Sequence, residues 1–144
     1  MRTSPTACHR RWSGFWFVAM LAAALAWAPR AYAGSYLDRA ALLLAEAARE
    51  TEYLRTHLGD RELARVVDRV ARARLRAAQE MEIPKEVAAA HPHLLLVLEA
   101  YERAAAAVIE GKSARFLELQ QRARDEEGIL RGVLKEHGWT LPKG

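Results

Sequence analysis

Apolar residues recur every three or four positions over most of the chain after residue 34, with charged residues between them. This spacing places the apolar side chains on one face of an α-helix, because a helix turns once in about 3.6 residues. Ala, Leu, Arg and Glu dominate this part of the chain, and all four are good helix formers. No segment alternates with the two-residue period of a strand, so the sequence predicts an all-α fold.

Four amphipathic helices are predicted, and glycine, proline and capping residues mark their ends. Their predicted ranges are about 35–58, 61–82, 92–110 and 113–137, with a short helical turn over 84–90. Ser35, Asp60 and Ser113 are predicted N-caps, since their side-chain oxygens can accept from the first free amides. Gly59 and Gly111 are predicted to end helices with a positive φ. Short links of this kind predict an antiparallel up-down-up-down four-helix bundle.

Each predicted helix carries an apolar face. On the first helix this face is Leu37, Ala40, Leu44, Ala47, Thr51, Leu54 and Leu58. On the second it is Leu63, Val66, Val70, Ala73 and Ala77, widened by Val67, Ala71, Ala78 and Met81. The third helix is apolar almost all round at its start, which predicts that it is the most buried. His91 is predicted to lie outside that helix, because the residue before a proline is pushed out of helical geometry.

Residues 1–33 are predicted to be a secretory signal peptide. A basic start is followed by an apolar run from Trp12 to Ala28 and by the small-residue pattern Ala31-Tyr32-Ala33. These three features in this order are the signature of a cleaved export signal. The alternative is an uncleaved anchor, although the run is short for a spanning helix. The predicted mature domain is therefore 34–144, exported to the periplasm or secreted, with the membrane met only in passage.

Removal of this segment changes the charge and the available chemistry. It contains four of the 22 basic residues and none of the 18 acidic ones, so the remainder has no formal net charge. A neutral domain gives no basic surface that would favour nucleic acid. Cys8 lies in the segment and is the single cysteine of the chain. The mature domain therefore has no disulfide, thiol nucleophile or thiolate metal ligand.

The histidines are the candidate metal ligands. In an antiparallel bundle, His91, His93 and His137 fall at one end and His57 at the other. Three imidazoles with a nearby carboxylate would suit zinc, copper or nickel. The alternative is that these are ordinary helix-end residues, since a cation suits the C-terminal end of a helix dipole.

Other centres known in helical bundles are not predicted. The Glu-x-x-His pairs of di-iron bundles are absent, because Leu54, Ala88, Ala90 and Leu134 lie three residues before the histidines. The size, export signal and bundle resemble the periplasmic b-type cytochromes, which would imply a haem held by an early methionine and a late histidine. The first helix has no methionine, so the resemblance implies shared architecture without the cofactor. No nucleophile–base pair is present, and no enzyme activity is predicted.

Charged residues suggest two further interaction features. Arg61, Arg65, Arg69, Arg72 and Arg76 lie on one broad face of the second helix. They are either a strip for an anionic partner or a solvated face paired with neighbouring acids. Glu126 or Glu127 must lie near the core, with Arg103 or Arg122 as expected partners.

These features predict an exported, non-enzymatic binding or accessory protein. It would act through its helix faces on another protein or on a second copy of itself. The alternative is a periplasmic metal or small-ligand binder that uses the histidine end, and the sequence does not identify the ligand.

Overall fold

The computed structural model describes the backbone of residues 13–142 and the side chains from Ala33 to Pro142. The elements are α1 (Ser13–Arg55), α2 (Arg61–Gln79), a 3-10 turn (Lys85–Val87), α3 (His91–Ile109) and α4 (Ser113–Glu136). This part of the chain is all helical and contains no strand, which confirms the all-α prediction with four helices. Residues 1–12 of the predicted signal peptide lie outside the described residues. None of the helices is long and apolar enough to cross a membrane, as far as the described residues go.

Two of the three predicted N-caps are wrong. Ser35 lies inside α1, which begins at Ser13, so no helix starts there. Ser113 is the first residue of α4, and Lys112 occupies the cap without a side-chain hydrogen bond. Asp60 is confirmed: its Oδ1 accepts from the Leu63 amide at 2.9 Å. This bond satisfies one of the free amides at the start of α2.

The prediction that His91 lies outside the third helix is also wrong. His91 is the first residue of α3, and the preceding Ala90 already has helical angles, with φ −84° and ψ −22°. The helix accepts Pro92 because the first four amides of a helix have no intrahelical partner. Pro92 disfavours the helical conformation of His91, but it does not prevent α3 from starting at His91. His91 is consequently part of the rigid frame of α3.

Of the two glycines predicted to end helices, one is confirmed and the other is not. Gly111 has a φ of 74° and ends α3 as predicted. The Lys112 amide donates to the Ala107 carbonyl at 2.8 Å, and the Gly111 amide donates to the Val108 carbonyl at 2.9 Å. These two hydrogen bonds together form a Schellman motif, which requires a residue in the left-handed helical conformation. Gly59 is different: α1 ends earlier, at Arg55, and the positive-φ glycines of the described residues are Gly111 and Gly138.

Two clusters of buried side chains form the core. The larger cluster joins residues 33–47 of α1 to the start of α3 and the end of α4, through Tyr36, Leu44, Leu94, Leu130 and Leu134. The smaller cluster joins the end of α1 to the start of α2, the end of α3 and the start of α4, through Leu54, Ala64, Val67, Val108 and Phe116. Only α3 contributes a large share to both, with ten of its 19 residues buried. The corresponding counts are six of 19 in α2 and six of 24 in α4, so α3 is the more buried helix, as predicted.

The predicted faces of α1 and α2 have opposite outcomes. On α1, six of the seven predicted residues, from Leu37 to Leu54, are buried. On α2 the predicted main face is wrong: Val66, Val70, Ala73 and Ala77 are exposed, and Leu63 is half-buried. The buried face consists of Ala64, Val67, Asp68, Ala71, Arg74 and Ala78. Three of the four residues predicted to widen the face, Val67, Ala71 and Ala78, are therefore confirmed as buried. The buried face is turned by about one residue from the predicted main face, and the larger apolar residues therefore face outward.

The glycine geometry leads to a stability prediction. Gly111→Ala should lower the free energy of unfolding by about 1 kcal/mol, because an L-side chain is strained at a positive φ. Gly128→Ala should raise it by up to about 1 kcal/mol, since Gly128 is inside α4 and an added Cβ meets nothing within 4 Å. Gly59→Ala is the control without left-handed strain. Urea unfolding of the three variants measures the order, and a Gly111 variant as stable as the Gly59 variant would contradict it.

Candidate functional site

Apolar residues on the outer side of α2 form a continuous stripe, called here the outer stripe: the half-buried Leu63 and the exposed Val66, Val70, Ala73 and Ala77. Val66 is 48% exposed and Val70 is 41% exposed. Tyr53 of α1, which is 57% exposed, stands beside the stripe. Large apolar side chains grouped in this way on a surface are typical of interaction sites, whereas single exposed ones are ordinary.

The outer stripe forms one wall of an open groove between α1 and α2. The groove has a volume of about 350 Å³. Leu63, Val66, Val67 and Val70 line it from α2, and Arg49, Glu50 and Tyr53 line it from α1. The lining is apolar except for Arg49 and Glu50, and Arg49 is already paired with Glu46 at 3.0 Å. The groove therefore suits an apolar surface more than a charged small molecule.

A partly buried ion pair joins the two helices beside this groove. Arg74 Nη2 lies 2.7 Å from Glu50 Oε1, and the Arg74 side chain is only 8% exposed. A buried guanidinium is costly unless a carboxylate compensates it. Glu50 Oε2 is buried without a hydrogen-bond partner in the described part of the chain, so the pair is not fully satisfied. The arrangement holds α2 in one rotation against α1.

Within the described residues, some arginines on the other flank of α2 pair with neighbouring acids and others are free for an anionic partner, so both predicted alternatives occur. Arg72 pairs with Asp68 and with Glu102 of α3, each at 3.1 Å, and Arg65 pairs with Glu62. Arg61, Arg69 and Arg76 are exposed and form no ion pair with any described residue. The flank is therefore partly a paired surface and partly a row of available cations.

His91 lies in the core, where it contacts Tyr36. The Tyr36 hydroxyl and His91 Nδ1 are 2.9 Å apart, and both residues are buried. The hydroxyl donates in the neutral tautomer that carries its proton on Nε2. Burial raises the pKa of Tyr36 to about 12 and lowers the pKa of His91. His91 is thus a structural link between α1 and α3.

The other two candidate ligands lie apart from each other. His93 Nδ1 is 3.2 Å from Glu126 Oε2, so Glu126 takes His93 as its partner in place of the expected Arg103 or Arg122. Glu127 pairs with Arg131 at 2.6 Å. His137 is exposed beyond the end of α4, eleven residues after Glu126. At ~1.5 Å per residue it is roughly 16 Å further along the helix.

The three imidazoles therefore do not converge in this structure. Among the residues described, no group of three or more His, Cys, Asp and Glu side chains is placed to hold a metal ion. A separation of this size follows from helix length: α4 extends beyond the start of α3, which the sequence pattern does not reveal.

The outer stripe was visible in the sequence, but as a core face. The alanines 64, 71 and 78, seven residues apart, are the signal that could have identified the buried face.

Comparison with known proteins gives no relative from which a function could be transferred. No protein-family model, curated protein or solved structure matches this chain. The outer stripe and its charged flanks are therefore the features from which a function has to be argued.

The buried His91 leads to a prediction for the pH dependence of stability. The folded protein favours neutral His91, so its pKa is lower than the unfolded value of about 6.5. Its contribution to stability is present above that pH and is lost as the pH falls, because the unfolded chain binds the proton more readily. Urea unfolding between pH 7.5 and 5 should show a smaller loss for His91→Gln than for the unchanged protein. His137→Gln, at an exposed position, is the control and should keep the full loss.

A second prediction concerns the metal hypothesis. Zinc, copper or nickel at micromolar concentration should leave the melting temperature unchanged, because the three imidazoles are separated. A bound metal at ~100 times its dissociation constant would add roughly 2.7 kcal/mol. A rise that disappears in His93→Ala and remains in His57→Ala would establish a metal site that forms by rearrangement. Thermal unfolding with and without a chelator provides the measurement.

Proposed function

We propose that this chain is an exported, non-enzymatic helical-bundle protein that binds another protein chain through the outer face of α1 and α2. The observation that carries the proposal is the outer stripe with Tyr53 beside it. Exposed apolar side chains of this size gain roughly 25 cal/mol per Å² when a partner covers them. The unpaired cations Arg69 and Arg76 at its edge provide orientation and specificity.

We include export in the proposal, with 1–33 as the signal peptide. The basic start, apolar run and Ala31-Tyr32-Ala33 pattern support it. Ala33 is fully buried within α1, so cleavage must occur before this helix packs. Tyr36 and its contact with His91 would then hold the new end of the chain against α3. Mass spectrometry of the exported protein distinguishes a first residue Gly34 from an uncleaved anchor.

The proposed topology is the antiparallel up-down-up-down bundle. Its support is the composition of the two core clusters. The end of α1, the start of α2, the end of α3 and the start of α4 meet in the smaller cluster. The opposite portions of α1, α3 and α4 meet in the larger cluster, together with Ala78 near the end of α2. Consecutive helices that share ends in this alternating way run in opposite directions.

The non-enzymatic part of the proposal rests on how the polar side chains are used. Thr56 Oγ1 lies 2.9 Å from His57 Nδ1, which is a hydroxyl–imidazole contact. The hydroxyl donates to the Tyr53 carbonyl at 2.8 Å, and the same carbonyl lies 2.9 Å from the imidazole. Both side chains are therefore engaged at the Tyr53 carbonyl near the end of α1, which also accepts from the Thr56 amide at 3.2 Å. His91 and His93 are likewise engaged with Tyr36 and Glu126.

A photoreactive amino acid at position 66 tests this function. In the producing organism it should give a covalent adduct with a protein chain, because Val66 is at the centre of the proposed binding surface. The control is the same substitution at Ile129 of α4, which is equally exposed, at 48%. Absence of an adduct at position 66, or equal adducts at both positions, would contradict binding through the outer stripe. The mass of the adduct identifies whether the partner is another protein or a second copy.

A further inference from the structure

The outer stripe has the spacing of a coiled-coil seam. Its five members follow one another at intervals of three, four, three and four residues. This is the heptad pattern by which one helix packs side by side with another. The stripe covers two heptads, or roughly 21 Å of helix at ~1.5 Å per residue. In the described structure α1 borders one side of the stripe and Leu63 packs partly against the smaller cluster, while Val66, Val70, Ala73 and Ala77 stay exposed and are available to a second chain.

One flank of this seam carries charges with the same period. Glu62, Arg69 and Arg76 are seven residues apart and therefore lie in a row beside the stripe. The row has a negative end and a positive end. Glu62 contacts Arg65 within α2, while Arg76 has no ion-pair partner among the described residues.

An antiparallel second copy of α2 matches this surface in size. With a two-fold axis between Val66 and Val70, Val66 faces the partner's Val70. Leu63 then faces the partner's Ala73, so a large side chain meets a small one at each end. In a parallel pair the equal residues would face each other, leaving Leu against Leu and Ala against Ala. Interdigitation of large and small side chains is the better packing.

The charges match in the same arrangement. In an antiparallel pair each flank meets its own equivalent, so Glu62 comes within about two residues of the partner's Arg76. Two such opposite-charge contacts form, one at each end of the seam. In a parallel pair the row of one chain would instead face the partner's other flank, so Glu62 and Arg76 would not meet. The single unfavourable contact of the antiparallel pair is Arg69 with the partner's Arg69, near the two-fold axis.

We propose that the occupant of the outer stripe is a second copy of this chain, bound through α2 in an antiparallel, two-fold symmetric dimer. A surface that is complementary to itself in size and charge is the requirement of an isologous interface. Tyr53 covers the flank of the seam opposite the arginines. The inference rests on the proposed function and names the partner.

Sedimentation equilibrium of the protein in the form recovered from its producing organism tests the dimer. The unchanged protein should show a concentration-dependent monomer–dimer equilibrium. Val66→Lys should weaken it by about tenfold or more, because a charge is placed inside the seam. Ile129→Lys is the matched control, with the same 48% exposure on α4, and should leave the equilibrium unchanged. Circular dichroism establishes that both variants remain folded.

Charge reversal tests the antiparallel orientation. Arg76→Glu should weaken the dimer by about tenfold, because both opposite-charge contacts become like-charge contacts. Adding Glu62→Arg to Arg76→Glu should recover most of the loss, because the pairs re-form with exchanged signs. Arg69→Gln should strengthen the dimer by removing the like-charge contact. Arg122→Glu on α4 is the control and should have no effect.

The outcomes separate the two proposals. A protein that remains monomeric up to about 100 µM, or whose association is unaffected by Val66→Lys, overturns the dimer. A double variant no better than Arg76→Glu alone overturns the antiparallel orientation. If the dimer fails and position 66 still forms an adduct with a different protein, the proposed function stands with another partner. If neither a dimer nor an adduct appears, both proposals fail.

Discussion

The ion pair between Arg74 and Glu50 decides which side of α2 turns outward. A helix with apolar residues on two faces can pack in either of two rotations, and the hydrophobic effect alone does not choose between them. In the observed rotation the guanidinium is buried and held 2.7 Å from a carboxylate of α1. Removing Glu50 would leave the Arg74 guanidinium, only 8% exposed, without its carboxylate, which is destabilising. The outer stripe is exposed as a consequence.

This rotation has a cost that a partner would offset. A fully buried valine is worth roughly 1.5–3 kcal/mol relative to an exposed one, and Val66 and Val70 keep nearly half of their surface exposed. The alanines 64, 71 and 78 occupy the buried face instead and gain less. Of the three valines of α2, only Val67 is buried. The apolar surface left on the outside of α2 is the feature on which the proposal of binding rests.

The sequence predicts what local physics decides, and fails where distant elements compete. Asp60, Gly111 and the apolar face of α1 were predictable, because a cap, a left-handed turn and a one-sided helix depend on neighbouring residues. The face of α2 was not, since its rotation depends on Glu50, 24 residues away. The convergence of His91, His93 and His137 depended on where α4 ends relative to α3, a length difference that short links alone do not define. His93 instead meets Glu126, a partner that periodicity could not select.

The His91–Tyr36 contact and the outer stripe lie on different parts of the molecule and involve different helices. His91 and Tyr36 join α3 to α1 within the larger cluster, whereas Tyr53, Leu54 and Leu63 border or belong to the smaller one. Protonation of His91 removes its neutral acceptor role and weakens the contact with Tyr36, but it changes no charge on the outer stripe. The acid sensitivity expected of the fold and the proposed association through α2 therefore depend on different residues.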